Sequence, residues 1–143
     1  MASVNLIPLS DTLSVAGQIS PADLPAIARA GFKSLICNRP DGESPGQFSH
    51  RDLAAAASQA GLTLAYQPVE SGRVSQPDGQ AFADLLNQLP APTLAYCRSG
   101  MRSATLWALS QAGSQPWPAL VQRAAMAGFN LSGVAPPTQP SRQ

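Results

Sequence analysis

Charged residues are scarce in this sequence, at 12% of 143 residues, and neither sign dominates, with nine Lys and Arg against eight Asp and Glu. The basic residues are scattered along the chain rather than clustered. A concentrated basic patch is what attracts nucleic acids and anionic membrane surfaces, so neither kind of partner is expected. Long apolar runs are also missing, and the first residues lack a basic region followed by an apolar stretch, so we expect no membrane span and no leader.

Cysteine and histidine are rare as well, with two cysteines, Cys37 and Cys97, and a single histidine, His50. Two cysteines are too few for the dense disulfide framework of a small secreted domain and are more typical of reduced thiols, which predicts a cytoplasmic protein. His50 has no second ligand type at metal spacing, and no glycine-rich dinucleotide fingerprint is present. We therefore expect neither a metal nor a cofactor.

The sequence does contain a regular alternation of short apolar runs and amphipathic segments. The apolar runs predict strands at 4–9, 13–15, 34–38, 62–67 and 93–96, and the first two form a hairpin. Helices are expected to begin at Ser20, Ser49 and Pro77, after residue 102, and near Pro118. This order predicts a single-domain α/β fold with a mostly parallel central sheet flanked by helices. We expect the catalytic domain to span 1–133 and a disordered tail to span 134–143.

Three irregular segments follow the predicted parallel strands, at 39–48, 68–76 and 97–102. In open α/β sheets, ligands bind outside the carboxyl ends of the strands. The three segments are therefore expected to meet at one site.

The segment 97–102 has the composition of an anion-binding loop that leads into a helix. Backbone N–H groups at a helix N-terminus attract negative charge, Gly100 allows a tight curl, and Arg102 can present a planar guanidinium. The same surroundings favour the thiolate of Cys97, which is the nucleophilic form. Ser103 is expected to cap the helix. We predict Cys97 and Arg102 as catalytic residues, and an anion-binding set made of Arg98, Ser99, Gly100, Met101, Ser103 and Arg39.

Residues 96–104 resemble the active-site loop of rhodanese-type sulfurtransferases. Residues 15–21 and 31–43 resemble a family with a dual-specificity-phosphatase-like fold, described as beta-lactamase-hydrolase-like or sulfurtransferase proteins. The resemblance implies a cysteine-phosphatase-like architecture over about residues 5–133. Members of this family occur alone or fused to metallo-β-lactamase-like hydrolases, which implies a persulfide-oxidising enzyme of that kind as a partner.

The resemblance leaves two chemistries open. Four residues separate Cys97 from Arg102, as in rhodanese-type loops, whereas cysteine phosphatases place five there. A phosphatase also needs a general acid, for which Glu70 and Asp41 are the candidates. Sulfur transfer needs none, because a thiolate or sulfite leaves readily. The expected function is therefore transfer of sulfane sulfur from thiosulfate or a glutathione persulfide, through a persulfide on Cys97, to a thiophilic acceptor. A phosphocysteine phosphatase is the alternative, and a non-catalytic redox or anion sensor is a second one.

Overall fold

A computed structural model describes residues 5–134 and residue 136. At its centre is a five-stranded sheet in the order β1-β2-β5-β3-β4. The strands are β1 (Ile7–Pro8), β2 (Leu13–Ala16), β3 (Ser34–Cys37), β4 (Thr63–Tyr66) and β5 (Thr93–Tyr96). β1 and β2 pair antiparallel, and the other pairs are parallel. The carboxyl ends of β2, β3, β4 and β5 therefore lie along one edge of the sheet.

In the described part of the chain, five α-helices connect and cover the strands: α1 (Leu24–Arg29), α2 (His50–Gln59), α3 (Gln76–Gln88), α4 (Met101–Gln111) and α5 (Trp117–Met126). Two of them begin with the reciprocal serine–aspartate cap that satisfies free N–H groups of a first turn. Ser49 and Asp52 form this cap on α2, and Ser75 and Asp78 form it on α3.

The sheet buries both faces. All four residues of β2, β3 and β5 are buried, which is the pattern of strands covered by helices on both sides. Alternate residues of one strand enter different hydrophobic clusters, because successive strand side chains point to opposite faces. Ile36 packs with Phe82 and Leu106, whereas Leu35 packs with Ile27 and Leu53.

The α/β class, the opening hairpin and the mostly parallel sheet are confirmed. The first helix differs in one respect, since a short 3-10 turn at Pro21–Asp23 precedes α1. Val4 of the predicted first strand lies outside the described residues, as do 135 and 137–143 of the predicted tail, so the boundary at 133 stays a prediction. Within the described ranges, no helix is both long and apolar enough to span a bilayer.

Candidate active site

The segment 97–100 joins β5 to α4 and folds back on the Cys97 sulfur. The Cys97 N–H donates to the Ala16 carbonyl at 3.3 Å, which continues the pairing with β2. Gly100 is the N-cap of α4, and its N–H donates to Cys97 Sγ at 3.1 Å. The first amide of the helix entrance is thus aimed at the sulfur, where it can stabilise negative charge.

Two glycines let the backbone close around this loop. Gly100 has φ +97°, in the left-handed region, and a Cβ there would lie 3.0 Å from the Phe129 ring. A Cβ on Gly17 would lie 3.0 Å from the Arg98 carbonyl, which accepts the Gln18 N–H at 3.2 Å. The loop is therefore held against the end of β2 at a distance that a larger residue would not allow.

Arg102 lies in the first turn of α4 and is 6% exposed. Its Nη1 donates to Glu43 Oε2 at 2.7 Å and to the Val69 carbonyl at 2.9 Å, and its Nη2 donates to Glu43 Oε1 at 2.9 Å. The hydrogen bonds to Glu43 raise the pKa of Arg102, and the neighbouring Cys97 sulfur adds to the effect. The guanidinium is therefore fixed next to the sulfur, with donors left over from its five N–H groups for an incoming anion.

The ionisation of Glu43 should make the free energy of unfolding depend on pH. The Arg102 hydrogen bonds, followed by those from Arg39, lower the pKa of Glu43 from 4.5 to about 2 against the opposing effect of burial. Because the folded pKa is the lower one, the stabilisation is complete above pH 4.5 and is lost as the pH falls toward about 2. The lowered pKa of Glu43 corresponds to a stabilisation of the folded state by at most about 3 kcal/mol. Urea unfolding of wild type and Glu43→Gln should differ most above pH 4.5 and converge in acid.

Glu70→Gln is the matched control for that experiment, because the Glu70 side chain is 71% exposed. It should unfold with the same free energy as wild type throughout the range. A Glu43→Gln deficit that did not shrink in acid would contradict the assignment of this ion pair.

The guanidinium of Arg39 is held by three side chains outside the loop. It is 5% exposed, and its three guanidinium nitrogens donate to Glu43 Oε1 at 2.9 Å, Gln18 Oε1 at 3.0 Å and Ser44 Oγ at 3.0 Å. Glu43 is thus shared between two arginines. Arg39 therefore has a positioning role, since it holds the carboxylate that holds Arg102, and its anion-binding role stays a prediction.

Ser103 is also placed differently from the prediction. It lies inside α4 and is fully buried, because Gly100 and not Ser103 is the N-cap. Its hydroxyl donates to Asn38 Oδ1 at 2.8 Å, while Asn38 Nδ2 donates to the Gln67 carbonyl at 2.9 Å. Asn38 also accepts the Val69 N–H at its carbonyl, at 3.0 Å. These bonds tie α4 to the segments that follow β3 and β4.

Replacing Ser103 with alanine should therefore destabilise the fold by about 1–3 kcal/mol, because Asn38 Oδ1 stays buried without its donor. Chemical unfolding would measure the loss. Ser58→Ala, at an exposed position of α2, is the control and should be neutral or slightly stabilising. Equal effects of the two substitutions would exclude the proposed role of this bond.

The two predicted general acids are both engaged away from the sulfur. Asp41 accepts the His50 N–H at Oδ1 and contacts His50 Nδ1 through Oδ2 at 2.7 Å. Although its partial burial opposes the change, these hydrogen bonds hold the pKa of Asp41 below its usual value. Glu70 lies in the segment after β4 and pairs with Arg73 at 3.5 Å. Neither carboxyl group contacts the loop residues in the part of the chain that the structure describes.

A cavity of about 800 Å³ opens over the outer side of the loop. Its lining includes Arg98, Ser99, Met101 and Arg102 from the loop and helix entrance, together with Val74 from the segment after β4. A cavity of this volume holds an organic ligand. Cys97 does not line it and is 1% exposed.

Sequence comparison places this arrangement in a known family. The family model "Beta-lactamase hydrolase-like protein, phosphatase-like domain" matches residues 5–114. The chain belongs to this family. A beta-lactamase hydrolase-like protein of Agrobacterium fabrum is 36% identical over 104 residues, which are 73% of this chain and 24% of that protein. The phosphatase-like domain thus spans about a quarter of that curated relative.

Solved structures agree with the family. A candidate phosphatase from Neisseria meningitidis is similar to this phosphatase-like domain with a TM-score of 0.81 and 35% identity, over 89% of this chain and 91% of that one. Tk-PTP in its active form shares the fold at a TM-score of 0.73, with 14% identity over 90% of this chain and 88% of that one. The expected dual-specificity-phosphatase-like fold is confirmed, and the family supports an enzyme. The rhodanese resemblance of the loop stays a prediction.

Sequence reasoning underrated Glu43 in this phosphatase-like domain. It is not among the site residues predicted from the sequence, yet it binds the guanidinium of Arg102 with both carboxylate oxygens. A signal was available: Arg102 was expected at a tight loop, and an arginine in such a place is rarely buried without a carboxylate partner. Glu43 lies in the segment after β3, at the edge of the sheet where α4 begins.

Proposed function

We propose that this chain is a cysteine-dependent phosphatase in which Cys97 carries the phosphoryl group between two steps. In the first step the thiolate attacks phosphorus, a P–S bond forms, and the P–O bond to the leaving group breaks. In the second step water attacks phosphorus, the P–S bond breaks, and inorganic phosphate leaves with the thiolate regenerated. Family membership supports this reading over the sulfur transfer that we expected from the loop.

The observation that carries the proposal is the hydrogen bond from the Gly100 N–H to Cys97 Sγ at 3.1 Å. Arg102, whose pKa the Cys97 sulfur helps to raise, is held in the first turn of α4 by both oxygens of Glu43. Charge on the equatorial phosphoryl oxygens would develop where these donors point. Donors fixed in advance for that charge are the largest single contribution to many enzymatic rates.

Sulfur transfer is the second candidate, and the loop length favours it. Only four residues separate Cys97 from Arg102, which makes a small ring for a phosphoryl group and a suitable one for a single sulfur atom. In that reaction the thiolate attacks the outer sulfur of thiosulfate, the S–S bond breaks, and sulfite leaves. The persulfide then passes its outer sulfur to a thiophilic acceptor.

Two assays run in parallel separate the candidates. The first follows release of nitrophenolate from p-nitrophenyl phosphate, and the second follows thiocyanate formed from thiosulfate and cyanide. The proposed phosphatase releases nitrophenolate in wild type and not in Cys97→Ser. Thiocyanate formation that depends on Cys97, without nitrophenolate release, would replace the proposal with the second candidate. Activity in neither assay would favour the non-catalytic sensor.

The setting of the domain is a separate proposal. Since the chain covers 24% of its Agrobacterium relative, the activity of that whole protein does not transfer to it. We propose a metallo-β-lactamase-like enzyme as a partner of this chain, from the family resemblance described above. We propose the cytoplasm as the location of this chain, from its cysteine usage. Copurification of the chain with such an enzyme would test the first of these.

A further inference from the structure

Every carboxyl side chain of this protein can be located, because all eight Asp and Glu residues lie in the described part of the sequence. Five of them have roles in the fold that do not involve the loop at Cys97. Three stabilise the starts of helices, one accepts a hydrogen bond within α3, and one is exposed in the turn between β1 and β2; they are Asp23, Asp52, Asp78, Asp84 and Asp11. None of these five is available to protonate a departing oxygen at Cys97.

The remaining three carboxyl groups lie in the two segments beside the loop, and each has another partner. Glu43 gives both oxygens to Arg102, and with a pKa of about 2 it is ionised at neutral pH. Asp41 gives both oxygens to His50. Glu70 is 71% exposed and pairs with Arg73 at 3.5 Å. A general acid must reach the leaving oxygen, and none of the three carboxyl groups lines the cavity beside the loop.

Other proton donors are also turned away from the cavity. His50 contacts Asp41 through Nδ1 and stacks on Tyr66 with ring centroids 3.7 Å apart. Tyr96 is 1% exposed and interacts with Cys37 inside the core, where burial raises its pKa. Among the described residues that line the cavity there is no Asp, Glu, His, Tyr, Cys or Lys.

The cavity lining instead combines two arginines with an apolar wall. Arg98 and Arg102 lie at the loop, and the wall is formed by Val74, Met101, Leu109 and Val134. The wall can accept an uncharged organic body attached to the anion, which is an arrangement common in ligand sites. The apolar wall has no group that could donate a proton to this organic part of the substrate.

Resting on the proposed phosphatase function, we propose that the leaving group departs from this site without protonation. The substrates are then phosphate monoesters of acidic hydroxyl groups, such as aryl phosphates, and alkyl phosphates are excluded. The electron pair of the breaking P–O bond stays on the phenolate oxygen, which takes its proton from water after leaving. The apolar wall holds the aromatic body while the two arginines and the Gly100 amide hold the phosphoryl group.

A leaving-group series tests this directly. We would measure kcat/KM for substituted phenyl phosphates from p-nitrophenyl to unsubstituted phenyl, and for one alkyl phosphate. Without an acid, kcat/KM should fall by roughly tenfold for each unit by which the pKa of the leaving hydroxyl rises, since its negative charge is not shared with a proton donor. The alkyl ester should show no turnover above that of Cys97→Ser.

Glu70→Gln and Asp41→Asn serve as slope controls, because either residue would be the acid if this proposal were wrong. Both variants should give the wild-type slope. A flat wild-type dependence that becomes steep in Glu70→Gln or Asp41→Asn would overturn the proposal and identify the acid, while the phosphatase function would stand. Absence of Cys97-dependent turnover with every ester would overturn both.

Discussion

Replacing Cys97 with serine is expected to lower kcat/KM for p-nitrophenyl phosphate by at least about 10³-fold, because the covalent route is lost with its nucleophile. A serine hydroxyl is a much weaker nucleophile than a thiolate, and the loop holds no base that could remove its proton. The Gly100 amide that reaches the sulfur at 3.1 Å would then meet a neutral oxygen. Steady-state kinetics of nitrophenolate release measures the loss.

Cys37→Ser is the matched control, since it makes the same atomic change at the other free thiol. Cys37 is 2% exposed, and its Sγ donates to the Arg39 carbonyl at 3.3 Å, a bond that a hydroxyl can also make. Its kcat/KM should stay within a few-fold of wild type. Comparable losses of kcat/KM in Cys97→Ser and Cys37→Ser would contradict the assignment of Cys97 as the nucleophile.

Arg102→Lys is expected to cost about 10²–10³-fold in kcat/KM, although the charge is kept. The guanidinium reaches both oxygens of Glu43 and the Val69 carbonyl at once, with distances of 2.7–2.9 Å. A lysine ammonium is a single point of charge and cannot span these three acceptors while also facing the phosphoryl group. The thermal midpoint should fall together with the activity, because Glu43 loses one of its two arginines.

Arg51→Lys provides the control for that loss, since Arg51 is an exposed residue of α2. It should change neither kcat/KM nor the thermal midpoint measurably. Full activity in Arg102→Lys would mean that the fork geometry of Arg102 has no part in the reaction.

The fold was accessible from the sequence because its signals are local. Proline or a capping pair marks the start of most helices, and the apolar runs of β3 and β5 are too short and too continuous for anything but buried strands. The rule that ligands bind at the carboxyl ends of parallel strands then placed three segments at one edge. These inferences need no knowledge of which side chains meet.

The site was less accessible, because its polar contacts join residues far apart in the chain. Ser103 was expected to cap α4, but Gly100 does so in a left-handed conformation, and the hydroxyl instead meets Asn38, 65 positions away. Arg39 was expected at the anion, but Glu43 and Gln18 take up its donors. Spacing along a sequence does not reveal which of several carboxylates a buried arginine selects.

The reaction class shows a similar limit. The length of the segment between Cys97 and Arg102 favoured sulfur transfer, while the family that covers residues 5–114 supports a phosphatase. Both reactions begin with attack by the same thiolate and need the same donors. The two reactions differ in the atom that is attacked, phosphorus or sulfur, and in the group that leaves.

The most direct test of the phosphocysteine intermediate is mass spectrometry of the protein, quenched during turnover. Wild-type protein mixed with p-nitrophenyl phosphate and denatured within milliseconds in alkaline detergent should carry one phosphoryl group, on the peptide that contains Cys97. Cys97→Ser should carry none. Steady release of nitrophenolate from a wild-type protein that never carries a phosphoryl group on Cys97 would contradict the account.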